Sequence, residues 1–313
     1  MTFVVTKPGL LTLIQDQGRF GFQHQGLTTG GMLDEYAGNW ANRLLGISLS
    51  APLIEIALGN VSMTATADTI IAVTGAAAPI WVNEHPISMW RIQVIRAGDA
   101  IRIGWARSGQ RLYVAVRGGF QVTPAFGSTA TVVREKVGGL SGTAILANDQ
   151  LPFTPVTLDQ GLDFAAPQAA IPNYDQSVQM RVVLGNQIMA FSEQAKTVFF
   201  QSTYHLTADS DRMGFRLSGP AVHYGGDTIL SEGIAFGAIQ VPPDGQPIIM
   251  LKDRQTIGGY PKIGGLLPID AFRLSQMKAG ASVSFAPIAL EQAQALMQDF
   301  YRFFDSPNDS PLS

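Results

Sequence analysis

Three short motifs occur twice in this chain, in the same order and far apart. Arg19-Phe20-Gly21-Phe22 followed by Gly26 returns as Arg212-Met213-Gly214-Phe215 followed by Gly219. Ile56-Ala57-Leu58-Gly59-Asn60-Val61 returns as Ile234-Ala235-Phe236-Gly237-Ala238-Ile239. Trp90-Arg91-Ile92, running through Arg96-Ala97-Gly98 to Ile101 and Ile103, returns as Phe272-Arg273-Leu274, running through Lys278-Ala279-Gly280 to Val283 and Phe285. Chance supplies one such match; three in a common order indicate two copies of a similar domain. The first copy reads as short apolar runs at strand spacing, over residues 53–58, 61–66, 69–73, 90–95, 100–103 and 111–116, with turns between them. That spacing indicates a barrel or sandwich. The expected fold is therefore mainly β with a few helices, as two β-barrel domains at residues 1–165 and 178–313 joined by a Pro-, Ala- and Gln-rich linker at 166–177.

Helices are expected in three places. Residues 34–45 carry Tyr36, Ala37, Trp40 and Leu44 on one face and end at Gly46, as an insertion in the first copy only. Ser192 can cap a helix running from Glu193 to Phe199. Residues 290–304 place Leu290, Ala293, Met297, Phe300 and Phe304 along one stripe.

The 313 residues, 46% of them apolar, are enough for two such cores without staples. The absence of cysteine excludes disulfides, thiolate metal sites and a Cys nucleophile, and fits a cytoplasmic protein. A net charge of −3 with only 21 Lys and Arg gives no basic footprint for nucleic acid. The N-terminal apolar run soon meets Lys7 and Pro8, and the weakly polar run at 69–82 is broken by Thr, Gly and Pro, so neither a signal peptide nor a membrane span is expected.

Only 14% of the chain is charged, against roughly 25% in ordinary globular proteins. Residues 242–264, PPDGQPIIMLKDRQTIGGYPKIG, concentrate that charge. Pro242-Pro243-Asp244-Gly245 is a tight turn, and a strand is expected from Gln246 to Leu251. Lys252, Asp253, Arg254 and Gln255 follow, then Tyr260 and Lys262 around a proline. In the register of the third match, Ala76-Ala77-Ala78-Pro79-Ile80 stands opposite Gly258-Gly259-Tyr260-Pro261-Lys262, so the turn itself does not require Tyr260 or Lys262. His24 likewise stands opposite Leu217. A carboxylate, two cations and a phenol in one loop suit holding an anion and moving a proton.

The loop's composition and the comparison of the two copies together name Asp253, Lys262, Tyr260 and His24 as candidate catalytic groups. Arg254, Gln255, Gln246, Asp244, Asp34 and Arg212 are named for substrate binding. Three of them have a plainer reading beside the functional one: Asp34 as the start of its helix, Asp244 as part of the turn, His24 as a surface or hydrogen-bonded histidine. No P-loop, GxSxG elbow, GxGxxG fingerprint or HExxH helix occurs, and the four histidines are scattered, so no metal site is expected. Ser275-Gln276-Met277-Lys278 has the look of a biotinylation site, but Arg96 holds the place of Lys278 in the first copy, which makes Lys278 structural and leaves no covalent biotin in this chain.

GLLTLIQDQGRFGFQHQG, GGMLDEYAGNWANRLLG, SDRMGFRLSG, ILSEG and IQVPPDGQPIIMLKDRQTIGGYPKIG together resemble the biotin-dependent carboxyltransferase family. That family takes in the C-type subunit of bacterial 5-oxoprolinase, the Kip-type antikinase component (KipA-like) and the allophanate hydrolase subunit 2 region of urea carboxylase. The resemblance implies two cyclophilin-like β-domains, a B-type (KipI-like) partner subunit and an A-type (LamB/YcsF-like) one. It also implies ATP, with or without Mg, bound here or on a partner, for opening 5-oxo-L-proline to L-glutamate. Under that reading Arg254 and Lys262 hold the substrate carboxylate or a phosphate, Asp253 orients a cation or metal-bound phosphate, and His24 or Tyr260 moves a proton. Two alternatives stay open: a binding subunit without turnover, and a carboxyltransferase acting on a urea-like substrate with biotin supplied in trans.

Overall fold

The computed structural model describes residues 1–158, 163–226 and 229–306. The chain divides into two compact units, the first made of Met1–Phe20, Gly30–Asp175 and the chain from Phe304, the second of Gly21–Thr29 and Gln176–Phe303. Both are mainly β. The segment at 166–177 holds a short 3-10 turn at Gln168–Ala170 and Tyr174, whose hydroxyl donates to Asp34, and the division between the units falls near its end, between Asp175 and Gln176.

The first unit has two antiparallel sheets. One runs, in spatial order, Gln150–Pro152, Thr2–Pro8, Gly59–Ala65, Ala100–Trp105, Ile80–Val82 and His85–Ile87. The other runs Leu11–Gln15, Leu53–Ala57, Ser108–Val116, Thr69–Ala77 and Ile92–Ile95. Phe3, Val5, Val61, Met63 and Ile103 from one sheet and Ile14, Ile56, Val73, Leu112 and Val114 from the other share a single buried core. Thr69–Ala77 is buried along nearly its whole length rather than at alternate residues. The second face of that strand is covered by helix α1 (Glu35–Leu44), whose Ala37 carbonyl accepts from Thr74 Oγ1 at 2.6 Å.

The second unit closes into a barrel, in the order Gln179–Leu184, Lys262–Leu266, Ala238–Gln240, Ile248–Met250, Gly214–Ser218, Tyr204–Leu206 and Ser282–Pro287. Ring closure leaves this sheet itself without a free edge. Helix α2 (Glu193–Gln201) is capped by Ser192 Oγ, which accepts from the Ala195 N–H, and it stacks Phe199 on Phe285 with ring centroids 4.6 Å apart. The expected strand from Gln246 to Leu251 is shorter, Ile248–Met250, because the Gln246 N–H goes to Asp244 Oδ1 in the turn and Pro247 has no N–H to give.

Two turns carry the repeat in atomic detail. Gly59 and Gly237 both adopt positive φ, +88° and +81°. A Cβ on either would press on a carbonyl oxygen, Gly104 O at 2.1 Å and Leu266 O at 2.7 Å. Gly98 and Gly280 sit at the same place in two equivalent turns, in which Asp99 N–H donates to Arg96 O and Ala281 N–H to Lys278 O. The correspondence breaks just before the second of these turns. Residues opposite the strand Ile92–Ile95 begin inside helix α3 (Pro268–Leu274), where Pro268 presets the first turn and Asp270 accepts from Arg181. The C-terminal helix α4 (Leu290–Asp305) buries Ala293, Phe300 and Phe304 of its expected stripe, whereas Leu290 stays 52% exposed.

Candidate functional site

The charged loop of the second unit is built mostly of side chains that satisfy one another. Asp253 takes a two-point ion pair from Arg212, Nε at 2.9 Å and Nη2 at 3.0 Å, with both side chains almost wholly buried. Lys252 is buried too, with its ammonium 4.8 Å from the centre of the Phe236 ring. Arg254 donates to Ile234 O at 2.8 Å and Leu251 O at 3.1 Å. Burial pulls its guanidinium down to about 10, with the Asp253 charge acting the other way, so it remains protonated at neutral pH. Lys262 pairs with Glu232, to which Gln187 also donates, and the Lys262 N–H donates to Gln187 Oε1 at 2.7 Å. The Lys262 ammonium holds the Glu232 carboxyl below its ordinary range.

The turn ahead of the loop is equally self-contained. Gly245 N–H donates to Pro242 O at 2.9 Å, and Asp244 Oδ1 accepts from Gln246 N–H at 3.0 Å. The Gln246 carboxamide closes a two-point bridge with the backbone of Gly219, at 2.9 and 3.1 Å. His24 lies exposed on a 3-10 turn, Gln23–Gln25, in the segment that the first half of the chain contributes to this unit. That segment touches the loop through Thr28 Oγ1, which donates to Arg254 O at 3.3 Å. Asp34 belongs to the first unit, where Oδ1 caps helix α1 through the Ala37 N–H and Oδ2 accepts from the Tyr174 hydroxyl at 2.7 Å. Its plainer reading, the start of a helix, is the role these bonds describe.

A cavity of about 370 Å³ opens beside the loop. Gln255 and Tyr260, two of the residues named from sequence, line it, and Tyr260 is 47% exposed. Its other polar walls are Asp209, Asp211, Arg216 and Gln240, with Ile248, Met250 and the Gly258-Gly259 pair between them. Asp211 Oδ1 receives the Met213 and Gly214 N–H groups at 2.8 and 3.3 Å, which fixes the turn leading into Gly214–Ser218. In that strand Phe215 and Leu217 are buried and Arg216 points the other way, as period-two alternation demands. Gly258 is held by the short strand pair Glu232–Gly233 with Ile257–Gly258. One guanidinium, a phenol, two carboxamides and two carboxylates therefore converge on one small space. That set can hold an anionic head, read an amide and accept a proton from water.

The cavity residues missed in the sequence had a weak signal there. Comparison of the two copies sets Arg216 opposite Gln23 and Gln240 opposite Ser62, polar against polar, so neither stands out as Tyr260 and Lys262 do. Among the described residues, no group of three or more His, Asp or Glu side chains is placed to hold a metal ion. No helix there is long and apolar enough to cross a membrane.

The family model for the carboxyltransferase domain, subdomain A and B, matches residues 25–287. The chain belongs to this carboxyltransferase family. Within it, the chain is 33% identical over 303 residues to the C subunit of Escherichia coli 5-oxoprolinase, covering 96% of each protein. It is 35% identical over 285 residues to the C subunit of Haemophilus influenzae 5-oxoprolinase, covering 90% of each. Its carboxyltransferase fold superimposes on the crystal structure of Kluyveromyces lactis urea carboxylase with a TM-score of 0.90 at 26% identity, over 100% of this chain and 30% of that one. The chain thus spans about a third of that urea enzyme but nearly the full length of the two oxoprolinase subunits.

Proposed function

We infer that this chain is the C-type component of an ATP-dependent 5-oxoprolinase, which opens 5-oxo-L-proline to L-glutamate together with an A-type and a B-type subunit. The observation that carries the reading is end-to-end similarity to two proteins named as C subunits of 5-oxoprolinase, at 33% and 35% identity. The urea enzymes, in contrast, contain this region as a fraction of a longer chain. A subunit name implies partners, and the A and B types are the ones the sequence resemblance supplies.

The cavity beside Tyr260 is the proposed substrate site. Its single guanidinium, offset by Asp209 and Asp211, suits a small ligand with one carboxylate better than a triphosphate. ATP, with Mg, is accordingly assigned to a partner subunit, and this chain carries no biotin. In this reading Tyr260 donates a hydrogen bond to the ligand, and Asp209 or Asp211 orients water. Asp253, Arg212, Arg254 and Lys262 act one step back, holding the loop that presents Gln255 and Tyr260.

Carboxyl transfer with biotin in trans is the reading to test against, since the structural likeness to urea carboxylase favours it. The test is ATP-dependent glutamate formation from 5-oxo-L-proline by the three mixed subunits with and without avidin. Activity indifferent to avidin supports the oxoprolinase reading. Activity abolished by avidin replaces it with the carboxyltransferase one.

A further inference from the structure

We propose that Gln240 and Arg216 form the specificity-determining pair of the cavity, Gln240 reading the lactam amide and Arg216 the carboxylate of the ligand. The proposal rests on the 5-oxoprolinase reading. Gln240 is only 4% exposed, yet it lines the cavity, and its carboxamide has no hydrogen-bond partner among the described residues. Its polar atoms are not among those sealed from solvent without a partner, so they open on the cavity and meet water there; a nearly buried carboxamide that no protein group engages points to a ligand that takes both its bonds.

Strand register places the second member. Arg216 stands directly across from Ile248, and Ile248 directly across from Gln240. Residues opposite one another in neighbouring antiparallel strands project from the same face, so the three make one row along the cavity wall. With strands about 4.8 Å apart, the Cα atoms of Arg216 and Gln240 lie roughly 10 Å from each other, with Ile248 as an apolar floor between them. The Arg216 guanidinium is exposed and has no ion-pair or hydrogen-bond partner among the described residues. Gly258 leaves room at the Gln240 end: a Cβ there would stand 3.1 Å from Gln240 Nε2 and 2.7 Å from Ile234 Cδ1.

The chemistry of a five-membered lactam fits this row. The ring locks the amide cis, so its N–H and C=O lie side by side on one edge. A primary carboxamide offers the complementary acceptor and donor and makes both bonds at once. An open-chain peptide amide is trans, with the two groups on opposite sides, and satisfies only one. Proline, which lacks the carbonyl, leaves the buried Gln240 N–H unpaired, the kind of mismatch that discriminates strongly. At the other end a carboxylate suits the fork of a guanidinium.

The experiment measures KM and kcat for 5-oxo-L-proline in the complete three-subunit assembly containing wild type, Gln240→Met or Arg216→Ala, with a thermal melt of each variant. The expected result is a KM raised by about tenfold or more in both, with kcat changed by less than about threefold. Variants with wild-type KM in an active assembly overturn the proposal and leave the oxoprolinase reading standing. A wild-type assembly that forms no glutamate overturns both. Should Gln240→Met fail to fold, Arg216→Ala at its exposed position decides: a raised KM supports the pair and an unchanged one overturns it.

Discussion

Arg212 and Asp253 are locked together by two parallel hydrogen bonds of 2.9 and 3.0 Å, and a backbone bond from Asp253 N–H to Arg212 O at 2.9 Å ties the same two residues. The pair joins the segment entering Gly214–Ser218 to the start of the charged loop, and so sets two walls of the cavity at once. Because both side chains are nearly buried, removing either takes the two-point partner from a charge held away from water. Arg212→Ala and Asp253→Ala should each lose about 3–5 kcal/mol of stability, and Arg212→Met with Asp253→Leu together much less. Urea unfolding of the two single variants and the double one reads this. Single variants within about 0.5 kcal/mol of wild type would show that the pair does not hold the loop.

Glu232 and Lys262 give the site a pH signature. Lys262 lowers the Glu232 carboxyl below its ordinary 4.5, chiefly through their hydrogen bond. A depressed folded value means that the pair's contribution is fully present above about 4.5 and is lost as pH falls through the lower folded value. Carbon-detected NMR titration should place Glu232 below 4.5 in wild type and return it toward 4.5 in Lys262→Met. A Glu232 titration unmoved by that substitution would contradict the pairing.

The repeat predicts matched responses at matched glycines. Gly59→Ala and Gly237→Ala impose both positive φ and a collision with a carbonyl oxygen, so each should be strongly destabilising. Gly98→Ala and Gly280→Ala meet nothing within 4 Å and should cost only the left-handed conformation, about 1–2 kcal/mol. Chemical denaturation of the four variants checks the order. Equal losses at all four would mean that close backbone approach at Gly59 and Gly237 has no weight.

What the chain reveals without a structure depends on whether the information is local. Ser192 as a helix cap, Asp34 as the start of a helix, and Pro242 to Gly245 as a turn depend on bonds within three residues, and all three have the expected form. The β character follows from strand-length apolar runs, and Gly59 with Gly237 or Gly98 with Gly280 preserve the repeat where backbone conformation admits little but glycine. Helix α3 escaped because Phe272-Arg273-Leu274 has the same apolar spacing over three residues as Trp90-Arg91-Ile92; Pro268 was the cue that a new element begins. In the site, residue type marked Asp253, Arg254 and Lys262, but each spends its charge on Arg212, on backbone carbonyls or on Glu232, partners that lie mostly about 20 to 40 residues away. Arg216 and Gln240 become neighbours in one row only through barrel register, which no linear pattern reports.

The central claim is that this chain is an indispensable part of a 5-oxoprolinase. The most direct measurement is L-glutamate released from 5-oxo-L-proline and ATP by the purified A-type, B-type and present chains, beside the same mixture with each chain left out in turn. The account predicts activity in the full mixture that disappears when this chain is omitted and returns when it is added back. Full activity from the other two chains alone would contradict it.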